Sequence, residues 1–345
     1  MPGRQVHNPA NGAGMPQPRG ISPSHNRLLV RERLSTFFSC RKGWFPLPIR
    51  THCFTRKGMD TARKTVLVLL ILVLFPTLGH AWTDQTATLP GRALVWESPE
   101  QGMDTALLSY TVKKSDGYTR RILVHILKLD STLFDFHLFS SRWEGVRSRS
   151  MREWAEEKGL SAAINACMYQ TDGLTSTGYM RSGEKLNNTH IARKYGSFFV
   201  SGPRCPGIPQ ASVLDRQSDD WQALLPLYEN VVQNFRLMGQ NGEQLWPENG
   251  PRHAVASVAE DHEGRILFLL CSEPVSVHDF VEALNAFPAL GLKSAMYVEG
   301  GSDAALLMEK GGKPLLVNGL SPAGYMLSNR GDDIPLPNII GVKRR

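Results

Sequence analysis

Three segments of this 345-residue sequence place polar residues or glycines directly after an apolar run, where loops build sites on a rigid sheet. In Met296-Tyr297-Val298-Glu299-Gly300-Gly301-Ser302-Asp303 an acid leaves a strand-like run and enters two glycines, which permit positive φ and a close approach of backbone to ligand. Burial would raise the pKa of Glu299 and suit it to donate a proton to a leaving oxygen, with Asp303 or an activated water completing a two-carboxylate scheme. The competing reading is a plain Gly-Gly turn with a solvated Glu. In Ile164-Asn165-Ala166-Cys167-Met168-Tyr169 the strand end delivers an amide and a phenol that can meet a sugar or phosphate, although Asn165 can equally bond to neighbouring backbone. In Asn249-Gly250-Pro251-Arg252-His253 a turn brings a guanidinium fork suited to phosphate and an imidazole that titrates near neutrality; a surface arginine is the plainer alternative.

Other chemistries lose support. The sequence has no Walker loop, GxGxxG, HExxH, CxxC or GxSxG elbow. Two acids four residues apart, Glu299 and Asp303, do not make a metal site without geometry, so no metal is assigned and the cofactor stays unspecified. After Trp82 only Cys167, Cys205 and Cys271 remain, enough for at most one disulfide, whose connectivity cannot be read. Cys167 with His253 would give a cysteine-dependent acyl hydrolase; a buried small hydrophobe is the simpler reading of Cys167.

These residues need elements to hold them. Ala93–Trp96, Leu107–Val112, Arg121–Leu129 and Leu133–Phe139 read as strands, the third apolar on both faces and therefore central. Met151–Lys158 reads as a helix capped by Ser150 and stopped by Gly159. Ala162–Ala166 reads as a buried strand, followed by a loop from Asp172-Gly173 and a turn at Ser182-Gly183. His253–Ala259 and Arg265–Cys271 flank Asp261-His262-Glu263-Gly264, the clearest hairpin; Ser276 caps a helix over Val277–Phe287, and Ser294–Val298 returns as a strand. The mixture points to an α+β fold, a mainly antiparallel or mixed sheet with helices packed on it. Without a long linker or internal repeat, residues 82–345 read as one domain.

The charge is unevenly distributed. Residues 1–81 carry 12 basic and 2 acidic side chains, so the overall net charge of +7 leaves −3 on the remainder. A broad nucleic-acid footprint needs a surplus of Lys and Arg that this body does not have, so no nucleic-acid partner is expected. Arg63 and Lys64, the ten apolar residues Val66–Phe75, and the small residues Gly79 and Ala81 read together as a signal peptide cleaved before Trp82. Ten helical residues rise about 15 Å, half a bilayer core, so contact with the membrane is expected only during export. A retained anchor is the alternative. Because export signals start near the initiating methionine, the reading here is a start at Met59, a signal over 59–81, a disordered upstream extension over 1–58, and a periplasmic or secreted product. A basic nucleic-acid-binding tail competes for residues 1–58.

Taken together, six segments resemble the phosphodiester glycosidase family, in its order, from about Ile122 to Val317. They are INACMY (164–169), GYMRSGEKLN (178–187), YGSFFVSGP (195–203), VVQNFRLMGQNGE (231–243), RHAVAS (252–257) and YVEGGSDAAL (297–306). The resemblance implies a phosphodiester glycosidase-like fold. It carries over polar site positions at Asn165, Tyr169, Arg252, Glu299, Gly300, Gly301 and Ser302. His253 and Asp303 join them as candidate substrate contacts. The sequence departs from the family pattern at Cys167 (for Gly), His253 (for Thr or Asn), Glu299 (for Asp) and Gln233-Asn234-Phe235 (for Ser-Gly-Pro). One extra methylene at Glu299 moves its carboxylate by about 1.5 Å. The expectation is an exported hydrolase of a glycosyl phosphodiester or related envelope sugar linkage, with Glu299 and Arg252 catalytic. A non-catalytic polysaccharide-binding protein of exopolysaccharide assembly or modification is the second reading. The partner in either case is a sugar phosphodiester or a polysaccharide.

Overall fold

A computed structural model describes residues 94–113, 117, 119–239, 242–310, 313–320 and 334–345. The expectations for residues 1–58 and for the export signal over 59–81 lie outside the described residues, as does Ala93. Sixteen strands and four helices are described in chain order: β1 (Trp96–Glu100), β2 (Met103–Lys113), β3 (Thr119–Leu129), β4 (Phe134–Ser140), α1 (Ser141–Glu144), α2 (Met151–Lys158), β5 (Ala162–Asn165), β6 (Met180–Ser182), β7 (Lys185–Asn188), β8 (Ser197–Pro203), β9 (Ala211–Asp215), α3 (Trp221–Leu224), β10 (Tyr228–Asn234), β11 (Arg252–Asp261), β12 (Ile266–Ser276), α4 (Val277–Asn285), β13 (Leu292–Gly300), β14 (Ala305–Lys310), β15 (Lys313–Asn318) and β16 (Asn338–Arg344). Among the described residues no helix is long and apolar enough to cross a membrane.

The strands form three sheets, ordered β1-β2-β3-β12-β11-β13, β7-β6-β10-β8-β9 and β15-β14-β5-β16-β4. Every strand pairing described is antiparallel. The α+β class read from the sequence holds, with the strands divided among three sheets.

Alternation explains how the sheets pack. On β3, Leu127 and Leu129 join the central core, to which all three sheets contribute, while Ile122, Val124 and Ile126 join a second core under α4. Both faces of β3 are therefore covered, as its two apolar faces required. The second sheet turns Phe198, Val200 and Val231 toward Trp221 and Leu224 of α3. The third turns Ala163, Leu307 and Ile339 toward Met151 and Trp154 of α2. Each sheet thus has one face in the shared core and the other under a helix.

The helices begin and end where the local chemistry dictates. Ser150 accepts from the Glu153 N–H while the Glu153 carboxylate accepts from the Ser150 N–H, a reciprocal cap, and Gly159 closes α2 at φ 61°. Ser276 caps α4 by accepting from the Asp279 N–H. Helix α4 ends at Asn285, two residues before the expected Phe287, because Pro288 disfavours helical backbone at the residue preceding it, and Phe287 adopts φ −126° and ψ 74°. The first strand begins at Trp96 rather than ending there.

Candidate active site

The site lies where the chain crosses between sheets. Strand β13 ends at Gly300 beside β11, with Val255 opposite Gly300 and Ala256 opposite Glu299. A single turn, Gly301–Asp303, then carries the chain to β14, whose Leu306 pairs with Ile164 of β5 in the third sheet. The second sheet reaches the same point through Asn234 at the end of β10, whose Nδ2 donates to the Val298 carbonyl at 3.0 Å. The 162–169, 252–257 and 297–303 segments therefore meet at one junction.

Glu299 is 8% exposed, and its Oε1 accepts from the Gly300 N–H at 2.9 Å. Burial pushes its carboxyl up to about 8, the Asp303 charge adds to the rise, and the Gly300 N–H opposes it. Asp303 is held through both oxygens: Tyr169 Oη donates to Oδ2 at 2.5 Å and Ser302 Oγ donates to Oδ1 at 3.2 Å. Burial raises the Tyr169 phenol, and its bond to Asp303 and the Asp303 and Glu299 charges raise it further, so the phenol keeps its proton and donates. A raised Glu299 carboxyl at the end of β13 and an Asp303 carboxyl held by Tyr169 and Ser302 on the following turn thus stand in different surroundings, the kind of pair from which an acid and a base can be drawn.

The two glycines serve different ends. Gly301 sits at φ 73°, the left-handed region that favours glycine. Gly300 is extended at φ −145°, and its constraint is contact: a methyl group there would collide with the Tyr297 hydroxyl and come within 2.7 Å of His253 Nδ1. His253 Nδ1 lies 2.8 Å from the Ala254 carbonyl and therefore carries the proton in the neutral ring. The imidazole packs edge-on against Tyr297 at 6.2 Å between ring centroids.

The amide of Asn165 is engaged by backbone at both ends. Nδ2 donates to the Asp303 carbonyl at 2.8 Å and Oδ1 accepts from the Ala305 N–H at 2.7 Å. Asn165 thus positions the turn that carries Asp303, and the backbone reading of this residue is the one observed. Asn165→Ala is expected to destabilise the protein by about 2–3 kcal/mol, because the buried Ala305 N–H and the partly buried Asp303 carbonyl lose their partner. Urea unfolding measures this, and a loss below about 0.5 kcal/mol would show that water replaces the amide.

Arg252 pairs with an acid of α4. Its Nη2 lies 3.5 Å from Oδ2 of Asp279, a buried carboxylate in the first turn of α4. Among the described residues no hydrogen bond or ion pair joins Arg252 to Glu299, Tyr169 or Asp303. Its side chain stays 43% exposed. Arg252 begins β11 opposite Ser276, beside the start of α4, three positions before the residue paired with Gly300.

The cysteine reading fails. Cys167 is 2% exposed, and burial pushes its thiol up to about 12, so it is protonated and shielded at neutral pH. Its Sγ packs 3.9 Å from Met180 Sδ, as a small hydrophobe would. Cys167, Cys205 and Cys271 are all free thiols.

Tyr297 is the residue that sequence reasoning passed over. Its hydroxyl lies against Gly300, and burial together with the Glu299 charge pushes its phenol pKa up. Within an apolar run it reads as core, and its two-residue spacing from Glu299 is the only local signal.

Comparison with known proteins agrees with this fold. The sequence profile of the phosphodiester glycosidase family matches residues 158–343. The zebrafish N-acetylglucosamine-1-phosphodiester alpha-N-acetylglucosaminidase catalytic domain is similar in structure, with a TM-score of 0.51 and 13% identity over 72% of this chain and 86% of that one. A hypothetical protein from Synechocystis is similar at a TM-score of 0.47, with 13% identity over 74% of this chain and 64% of that one. No curated protein sequence matches significantly. The match over 158–343 takes in β5 and the 299–303 turn as well as more than half of the 345 residues, and the chain belongs to the phosphodiester glycosidase family.

Proposed function

We infer that the protein is an exported hydrolase that cleaves a glycosyl phosphodiester or a related envelope sugar linkage. The observation that carries this reading is the buried Glu299, protonated at neutral pH, beside an Asp303 carboxylate held by Tyr169. Family membership supports glycosidase chemistry, and the zebrafish relative is named for action on an N-acetylglucosamine-1-phosphodiester. Export rests on the signal-like residues 63–81.

In this reading Glu299 gives its proton to the phosphate oxygen as the bond from that oxygen to the anomeric carbon breaks. Asp303 takes a proton from the water that attacks the same carbon, and Tyr169 and Ser302 hold Asp303 in place. The products are a free sugar and a phosphomonoester. Gly301, with open space where a side chain would stand, lets the reacting sugar approach the backbone, while Tyr297 and His253 pack against Gly300 and hold the end of β13. Arg252, half exposed one residue before His253, supplies the contact to phosphate at the rim.

Release of free sugar from a panel of sugar phosphodiesters by the purified protein tests the reading. Arg252→Ala is expected to lower kcat/KM by about 10- to 100-fold, the value of a charge-assisted hydrogen bond. Arg252→Lys preserves a cation for Asp279 but loses the fork, and is expected to raise KM with little change in kcat. Wild-type turnover that is insensitive to both Glu299→Gln and Arg252→Ala would reject the assignment.

A further inference from the structure

A cleft of about 640 Å³ is lined by Arg193, Lys194, Arg216, Trp221, Phe235 and Trp246 among others. Residues 82–345 carry a net charge of −3, so cations gathered in one cleft run against the average of the body. Among the described residues no carboxylate pairs with Arg193, Lys194 or Arg216. Arg216 is fixed instead by neutral groups: its Nη1 donates to the Ala192 and Tyr195 carbonyls at 3.0 and 2.9 Å, and its guanidinium lies 4.8 Å from the Trp221 ring. Lys194 Nζ sits 5.5 Å from the Phe235 ring. The fourth cation differs, since Arg236 is paired with both oxygens of Asp215 and also donates to Gln217 Oε1. The nearby acids are engaged by backbone: Asp219 accepts from the Asp215 N–H, and Asp220 accepts from the Ala223 N–H in capping α3. Among the described residues, Arg193, Lys194 and Arg216 thus have no carboxylate within ion-pair distance, and their charges face the cleft.

Two rings of its lining pack toward the catalytic candidates through the buried Tyr297. Trp246 and Phe235 pack on Tyr297 with ring centroids 5.9 and 6.5 Å apart, and the Tyr297 hydroxyl abuts Gly300, next to Glu299. The cleft lining does not include Glu299; these three rings connect the two places. Aromatic faces receive the apolar faces of sugar rings, and guanidinium and ammonium groups receive phosphate or carboxylate.

We propose that this cleft binds the anionic part of the substrate glycan, a sugar carrying phosphate or carboxylate, beyond the bond cleaved at Glu299. The assignment of a glycan rests on the glycosidase reading above. Single-stranded nucleic acid shares the same two features, cations and stacking faces, but the packing of these rings onto Tyr297, beside the candidate site of a glycosidase-family fold, favours sugar.

The test uses the full-length protein carrying Glu299→Gln, so that ligands survive, and follows tryptophan fluorescence and calorimetric binding. The probes are an oligogalacturonate, glucose 1-phosphate, a neutral dextran oligomer of matched length, and an oligothymidylate. Oligogalacturonate or glucose 1-phosphate is expected to bind at least about tenfold more tightly than dextran, more weakly as salt rises. Arg193→Glu with Lys194→Glu, both exposed, is expected to weaken that binding by about tenfold or more. Equal binding by the parent and the double variant overturns the proposal, as does a failure of both anionic probes to bind. Tighter binding of oligothymidylate than of either sugar anion overturns it in favour of nucleic acid. If the protein with Glu299 intact releases no sugar while charged sugars still bind through Arg193 and Lys194, the catalytic reading fails and the cleft stands. If turnover is intact and charge reversal changes neither KM nor binding, the cleft fails and the catalytic reading stands.

Discussion

Glu299→Gln is expected to lower kcat for sugar-phosphodiester hydrolysis by about 10²- to 10⁴-fold, with the fold retained. Glutamine keeps the size and the acceptor that meets the Gly300 N–H but has no proton to transfer. The same substitution gives a second readout that does not depend on substrate. The carboxyl titrates at about 8 in the fold against an ordinary value of 4.5, so the native state binds the proton more tightly than the unfolded chain. Stability from this group is complete below pH 4.5 and falls as pH rises toward 8, by on the order of 1.4 kcal/mol per pH unit. Glutamine does not titrate. The variant is therefore expected to match the wild type near pH 4.5 and to become progressively more stable than it toward pH 8, as followed by thermal unfolding in a pH series. A stability difference that does not change with pH would show that Glu299 is solvated, and the acid role would fail with it.

Phe136→Ala is expected to cost about 3–5 kcal/mol of stability, near the upper end for a single core truncation. The reason is architectural. Phe136 on β4 of the third sheet meets Phe199 on β8 of the second at 6.0 Å and Phe268 on β12 of the first at 6.2 Å, edge to face in both cases. Phe199 and Phe268 are fully buried and Phe136 nearly so. Truncation therefore opens a void where all three sheets meet, and no single sheet can move to fill it without leaving the other two. The carbonyl of Phe136 also accepts from Ser201 Oγ and Asn230 Nδ2 of the second sheet, which holds the backbone in place around the void. In thermal denaturation the change corresponds to a loss of about 10 °C for a domain of this size. Phe136→Leu, which refills much of the volume, is expected to recover more than half of it. A Phe136→Ala loss below about 1 kcal/mol would mean that the sheets close the gap independently.

The sequence by itself determined those features set by neighbours a few residues away. Helix α2 from Ser150 to Gly159, the hairpin at Asp261–Gly264 and the two-sided burial of β3 follow from capping groups, a turn and alternation, all local in chain distance. Family membership was legible too, because it is written in short segments whose order survives without geometry. Only the tertiary structure decided how the strands divide among three sheets and which polar groups face one another. Asn165 and Asp303 are 138 residues apart, and pairing between β14 and β5 is what brings them into contact. Pairing of β11 with β12 likewise set Arg252 beside Asp279, and pairing of β8 with β9 gathered Arg193, Lys194 and Arg216 into one cleft. Each of those cations looks in sequence like an isolated surface charge. Strand pairing across such separations depends on which apolar faces share a core, a property of the whole chain that no short window contains.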